Sequence, residues 1–234
     1  MKKHKILVVI GIVVAIIAVI VGLVGYFLVK DVKEEQVLRK EISSLNKLDI
    51  TKDRYNTDIV TTGDYAVVES TIKDYLDDYA TNLQGVLDIL NDEKLSNVLS
   101  ADNYKNDGPE FGQTKEYLEN TKKDFNEKLT KLTNMTDKNT IMDAIKSKKL
   151  NSYYVDLYKE LMLNGVAAKD LKESKDDLTK ASDTINGLLE VETNVINLLV
   201  DNKDKWSVEN DTIVFKDNDT LNKYNELIMN YTNS

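Results

Sequence analysis

Residues 6 to 29, ILVVIGIVVAIIAVIVGLVGYFLV, form a run of 24 apolar residues without one charge. A helix of that length extends about 36 Å, against a hydrocarbon core about 30 Å thick, so the run is long enough to cross a bilayer with some tilt. A cleavable signal peptide has an apolar region of about 7 to 15 residues followed by small residues at the cut site. This run instead closes on Tyr26, Phe27, Leu28, Val29 and Lys30. It therefore reads as a retained transmembrane helix, a signal anchor over residues 6–29. Lys2, Lys3 and Lys5 precede it, while Lys30, Asp31, Lys33, Glu34 and Glu35 follow with balanced charge. The excess of basic residues on the N-terminal side puts residues 1–5 in the cytoplasm as a short tail and sends the C-terminal domain outside the cell membrane. Tyr26 and Phe27 suit the outer interfacial belt, and Lys30 can extend to the headgroups.

Charge and residue usage narrow what the exterior part can do. The chain carries 31 basic and 40 acidic residues; setting aside the four lysines of the first 30 residues leaves 27 bases against 40 acids, a net charge of −13. That sign repels phosphate backbones and argues against nucleic-acid binding. There is no cysteine, so neither disulfides nor a lipid-modified thiol can form, and stability has to come from packing. The lone histidine is His4, on the cytoplasmic side. The exterior domain thus lacks the imidazole and thiol on which Ser-His-Asp and Cys-His nucleophile systems and most transition-metal sites depend. No catalytic residue, metal site or cofactor is expected, and the chain reads as a non-enzyme. The usage, rich in Lys, Asn, Asp and Thr, resembles that of low-GC Gram-positive bacteria.

Carboxylates are the remaining chemical resource. Asp77 with Asp78, Asp176 with Asp177, and Glu190 with Glu192 could in principle form an acid–base pair, but their spacing is that of solvated faces on amphipathic helices. Asp217-Asn218-Asp219 resembles the start of a calcium loop, yet Leu221 and Lys223 fall where a ligand or glycine is required. No glycine loop able to cradle phosphate is present.

With Pro109 the sole proline and six glycines outside the apolar run, long helices are permitted nearly everywhere. Val32, Leu38, Ile42 and Leu45 continue at helical spacing, which predicts a stalk helix to about Lys47 and then a loop to Gly63, so that residues 30–63 are stalk helix and loop. Residues 64–234 are expected to form the extracytoplasmic helical bundle. Its clearest helix carries Tyr65, Val68, Ile72, Tyr75, Tyr79, Leu83, Val86 and Leu90 at steps of three and four, with Thr61 and Asp64 matching a capping signature. Gly85 inside this stripe points to a close crossing or to simple tolerance. A short piece with Leu95, Val98 and Leu99 precedes a turn at Asn106-Asp107-Gly108-Pro109, which places Pro109 in the first turn of a helix bearing Phe111, Leu118, Thr121, Phe125, Leu129 and Leu132.

Shorter stripes follow at Ile141, Met142 and Ile145 and at Tyr154, Tyr158, Leu161 and Met162. A long helix is expected from about Ala167 to Asp201, carrying Leu171, Leu178, Ala181, Ile185, Leu188, Val195 and Leu199, the scale of an elongated bundle. Near residues 206–215 the period changes to two. Trp206, Val208, Ile213 and Phe215 alternate about Asn210-Asp211, predicting a hairpin with Val208 opposite Ile213 and Trp206 opposite Phe215. Asp217 or Asp219 then caps a last helix with Leu221, Tyr224, Ile228 and Tyr231. The fold class is mainly α: an N-terminal transmembrane helix, then an elongated helical bundle with a small C-terminal β-hairpin.

Two features speak to partners. Gly11, Ala15, Ala18 and Gly22 recur at steps of four, three and four, with Gly25 extending the row, and such small residues let a second membrane helix approach closely. Gly and Ala are also simply common in membrane helices. Tyr65, Tyr75, Tyr79, Tyr153, Tyr154 and Tyr158 could line a carbohydrate or peptide groove, although a core row with hydroxyls at the rim explains them as well. The expected function is that of a single-pass membrane-anchored helical protein, a non-enzymatic binding or scaffold protein of the bacterial cell envelope. Its partners are the lipid bilayer through residues 6–29, an envelope protein or wall component, and a further copy in a homo-oligomer. The alternatives are a ligand-binding sensor-like domain acting with a partner subunit, and a carboxylate-based envelope hydrolase.

Overall fold

The structure, a computed structural model, describes residues 33–45, 56–163 and 168–233. In chain order its elements are α1 (Lys33–Leu45), α2 (Gly63–Leu90), α3 (Glu93–Asn97), α4 (Ala101–Asp107), α5 (Gly112–Met135), α6 (Lys138–Lys146), α7 (Ser152–Leu163), α8 (Ala168–Asp201), β1 (Trp206–Glu209), β2 (Thr212–Phe215) and α9 (Asn218–Asn233). The protein is mainly helical, with one small antiparallel hairpin near the C-terminus. The apolar run at 6–29, the proposed transmembrane helix, lies outside the described residues. Among the described residues no helix is long and apolar enough to cross a membrane.

The described chain divides into two compact units. One unit, termed here the aromatic unit, comprises residues 86–127 and 180–233; the other, the charged unit, comprises residues 33–45, 56–85, 128–163 and 168–179. The long helices α2, α5 and α8 contribute residues to both.

In the charged unit the apolar stripes of sequence become core. Leu38 and Ile42 of α1 are buried, as are Val68, Ile72, Leu76, Tyr79 and Leu83 of α2 and Leu129 and Leu132 of α5. Ile145 of α6 and Leu157, Tyr158 and Leu161 of α7 complete it, with Leu178 of α8. Each such side chain removed from water contributes about 1.5 to 3 kcal/mol, which is what holds helices of modest intrinsic propensity in place. Asp137 caps α6, accepting from the Asn139 amide at 2.8 Å. The loop before α2 departs from expectation: Thr61 does not cap the helix but donates its hydroxyl to Glu69 Oε2 at 2.7 Å. Gly85 does sit under a close approach, since a Cβ there would meet Lys128 Cδ and Cε at 2.8 Å. The neighbour is a flexible lysine stem, not a helix backbone.

In the aromatic unit the hairpin register is the expected one, Trp206 opposite Phe215 and Val208 opposite Ile213. Asn210 and Asp211 take positive φ of 48° and 59°, the two left-handed positions of the turn type whose twist matches a hairpin. The Trp206 indole N–H donates to Leu199 O at 2.8 Å, and its ring stacks on Phe111 with centroids 5.9 Å apart. Tyr104 meets both rings edge-on, 5.8 Å from Phe111 and 6.1 Å from Trp206. Asp217 caps α9, accepting from the Thr220 amide at 2.9 Å. Asn126 of α5 and Asn186 of α8 exchange amide hydrogen bonds at 3.0 and 2.9 Å.

The segment around Pro109 corrects the sequence reading. Asn106 and Asp107, expected in the turn, instead close α4, which Ser100 caps by accepting from the Asn103 amide at 3.2 Å; the turn itself follows at 108–111. Pro109 follows a cis Gly108-Pro109 bond and precedes α5, which starts only at Gly112. Gly108 has no room for a side chain, because a Cβ would stand 2.3 Å from Tyr104 O and 2.9 Å from the Trp206 ring.

Candidate functional site

Two polar constellations in the charged unit stand out from an otherwise apolar interior. The first is built on α2. Glu69 and Lys73 lie one helical turn apart, both side chains are 0% exposed, and Lys73 Nζ stands 2.7 Å from Glu69 Oε1. Lys73 also donates to Glu41 Oε1 of α1 at 2.7 Å and to the carbonyl of Asp58. The Glu69 carboxylate accepts from the amides of Val60 at 3.1 Å and Thr61 at 2.9 Å as well as from the Thr61 hydroxyl. A buried ion pair is tolerated only when its remaining lone pairs and protons find partners, and here two helices and a loop supply them.

Burial works to raise the Glu69 carboxyl, but hydrogen bonds from Lys73, Thr61 and the two amides outweigh it and hold the group below the usual carboxylate range. Burial likewise works to lower the Lys73 amine, and Glu41 and Glu69 overcome it, holding the amine above its ordinary value. Both groups stay charged at neutral pH. A lysine so held is neither a nucleophile nor a base, and a carboxylate so held cannot act as an acid. The constellation is a clasp that fixes residues 58–61 along α2.

The second constellation joins the N-terminal ends of three helices. Glu34 of α1 accepts from the Thr62 amide at 3.2 Å, just before α2. Glu35 is buried; it accepts from Arg39 Nε at 2.8 Å and from the Tyr153 hydroxyl of α7. Arg39 extends to Glu160 of α7 at 3.1 Å. Burial opposes the Arg39 charge, and its two carboxylate partners more than restore it. The Tyr153 and Tyr65 hydroxyls lie 3.2 Å apart. Tyr65, Tyr153 and Tyr154 form a closed trio of edge-on rings, with centroids 6.4, 5.0 and 5.1 Å apart. The hydrogen bond to Glu35, then that with Tyr65, push the Tyr153 phenol up.

The six tyrosines singled out from sequence therefore part into two groups. Tyr75, Tyr79 and Tyr158 are core: Tyr75 donates its hydroxyl to Met135 O, and burial pushes the Tyr75 and Tyr158 phenols up. Tyr65 and Tyr154 are half-buried, and Tyr153 is 42% exposed, among the most exposed large apolar side chains described. Trp206, the expected hairpin anchor, is buried in that role.

The acidic pairs differ in exposure. Asp78, Asp176 and Glu190 are exposed, whereas Glu192 is buried, against the solvated face its spacing implied. Its charge adds to the upward push that burial gives the Tyr104 and Tyr117 phenols. Asp217, first in the calcium-like triplet, is engaged by the amide and hydroxyl of Thr220. Among the described residues no group of three or more acidic or imidazole side chains is placed to hold a metal. Gly11, Ala15, Ala18 and Gly22, the candidate helix-association face, lie outside the described residues.

Sequence reasoning missed the Glu69–Lys73 clasp. Its signal was available: Glu69 stands one turn after Tyr65 and one turn before Ile72, inside the apolar stripe. Compared with models of protein families, with curated proteins and with solved structures, the chain finds no match.

Proposed function

We propose that this protein is a single-pass membrane-anchored, extracytoplasmic helical protein of a bacterial cell envelope that acts by binding or scaffolding another envelope component and not by catalysis. The observation that carries this reading is the uncharged run of 24 residues at 6–29, preceded by Lys2, Lys3 and Lys5. The side-chain chemistry agrees with it. The buried Glu69 and Lys73 are engaged by their own partners, and the exterior part of the sequence has no histidine or cysteine. What it offers to a partner is surface: an acidic helical body and a small aromatic face.

The test is topological. On intact cells an added protease should remove epitopes placed after residue 233 while a tag before Met1 stays protected, and the mature N-terminus read by mass spectrometry should precede Ile6. A mature chain beginning beyond Gly25, or a protected C-terminus, overturns the reading. Crosslinking on membranes should then recover a specific envelope protein or wall fragment.

A further inference from the structure

The trio Tyr65, Tyr153 and Tyr154 has a placement that the core tyrosines lack. It lies where the N-terminal ends of α1, α2 and α7 meet, and α1 is the first described element after the apolar run. Glu35, which accepts from the Tyr153 hydroxyl, is six residues beyond Val29. Whatever path those six residues take, they span at most about 20 Å, less than the combined thickness of a bilayer's two interfacial zones and core. The tyrosines are thus tethered within reach of the surface from which the chain leaves a membrane.

Their chemistry suits that surface. Aromatic rings are enriched at membrane–water interfaces, and Tyr153, its hydroxyl held by Glu35, remains 42% exposed. Lys33 is exposed beside Glu34, and Asp64 adds a second acid, so the rim has no excess of positive charge with which to attract anionic headgroups. Attachment there rests on the rings and not on charge.

We infer that the Tyr65–Tyr153–Tyr154 trio is a membrane-interface footing, seated in the lipid headgroup layer and setting the charged unit with the N-terminal ends of α1, α2 and α7 toward the bilayer. The inference rests on the anchored reading of residues 6–29. It deepens that reading by naming the surface that the trio contacts.

The chain has no cysteine, so single cysteines can be placed and labelled cleanly. The full chain would be reconstituted in vesicles of phosphatidylethanolamine and phosphatidylglycerol and labelled with an environment-sensitive dye at Ser152→Cys, Asp78→Cys or Val24→Cys. Ser152 is exposed beside the trio, and Asp78 is exposed about 20 Å farther along α2. A headgroup-linked nitroxide quencher should dim the dye at 152 and leave it unchanged at 78, and the dye at 24 should be shielded from aqueous iodide. Adding Tyr65→Ser with Tyr154→Ser should abolish the quenching at 152. Should that pair unfold, as read by circular dichroism, Tyr154→Ser alone should reduce it.

A dye at 152 that stays unquenched while the dye at 24 is shielded overturns the footing and leaves the anchor standing. A dye at 24 open to iodide overturns both. Quenching at 152 that survives the serine substitutions in a folded chain also overturns the footing, because the tether alone then explains proximity. A label at 152 that is unquenched in vesicles but protected in native membranes assigns the trio to a protein or wall partner instead.

Discussion

The two units are held by opposite means. In the charged unit, Glu69 and Lys73 are enclosed and satisfied by Glu41, Thr61 and two backbone amides, and Arg39 bridges Glu35 and Glu160. In the aromatic unit the central contacts are rings, with Trp206 and Phe111 stacked and Tyr104 edge-on to both. Ion pairs at its surface include Lys203 with Glu110 at 2.8 Å and Lys105 with Asp211, whose side chains are at least 42% exposed. A ring cluster gains from being dry and has no charge to lose in acid, whereas an enclosed ion pair depends on both partners keeping their charge. The two halves should therefore fail under different insults.

The largest expected effect is Trp206→Ala, which empties the centre of the ring cluster and removes the bond to Leu199 O. It should cost about 3 to 5 kcal/mol, read as loss of hydrogen-exchange protection in residues 203–216. Gly108→Ala should act in the same place, because the new methyl meets a backbone oxygen. If either substitution instead loosens residues 56–75 first, the contrast between the units is broken.

Next is Glu69→Gln, which leaves a buried ammonium with a single carboxylate partner and should cost about 3 kcal/mol. Pairing it with Lys73→Met should recover much of the loss, since removing both charges is less damaging than stranding one. A double variant as unstable as the sum of the singles would show that the clasp is not a unit.

A pH titration sharpens the contrast. Glu69 is held below its ordinary 4.5, so its contribution is fully present above that pH and is lost as pH falls through the lower folded value. Exchange protection at residues 56–75 should decay in acid before that of the ring cluster. Glu110 and Asp211 are also lowered, by Lys203 and Lys105, but being exposed they contribute little. At the alkaline end both units should weaken, and the charged unit also loses the Lys73 contribution as pH rises past the ordinary 10.5 of a free amine. Burial raises Tyr75 and Tyr158 in one unit and Tyr104 in the other, so both lose stability as pH climbs past the ordinary 10.0 of an unfolded phenol.

The smallest effect is Lys105→Ala, which removes the exposed pair with Asp211. It should leave stability almost unchanged, and salt should erase any difference.

Much of this fold was legible in the chain. The helices follow from apolar recurrence at three and four, and the hairpin register follows from alternation about two residues that tolerate positive φ. What escaped notice was decided by neighbours distant in sequence. Asn103, Asn106 and Asp107 have the composition of a turn, yet burial of Tyr104 against Phe111 and Trp206 draws them into α4. Glu69 reads as one more surface acid until the loop at 58–61 is laid against it. The tyrosines were evident as a groove or a core row, but their division into core and rim needed α1, α2 and α7 brought together.

Arg39 and its partner Glu160 are separated by 121 positions. A chain emerging from its N-terminus makes α1 long before it makes the acid that completes α1's surroundings, so the charged unit cannot close until most of the polypeptide has been synthesised. Until then α1 stands without the α7 carboxylate that Arg39 engages, and a factor that shields nascent chains would have its binding window there.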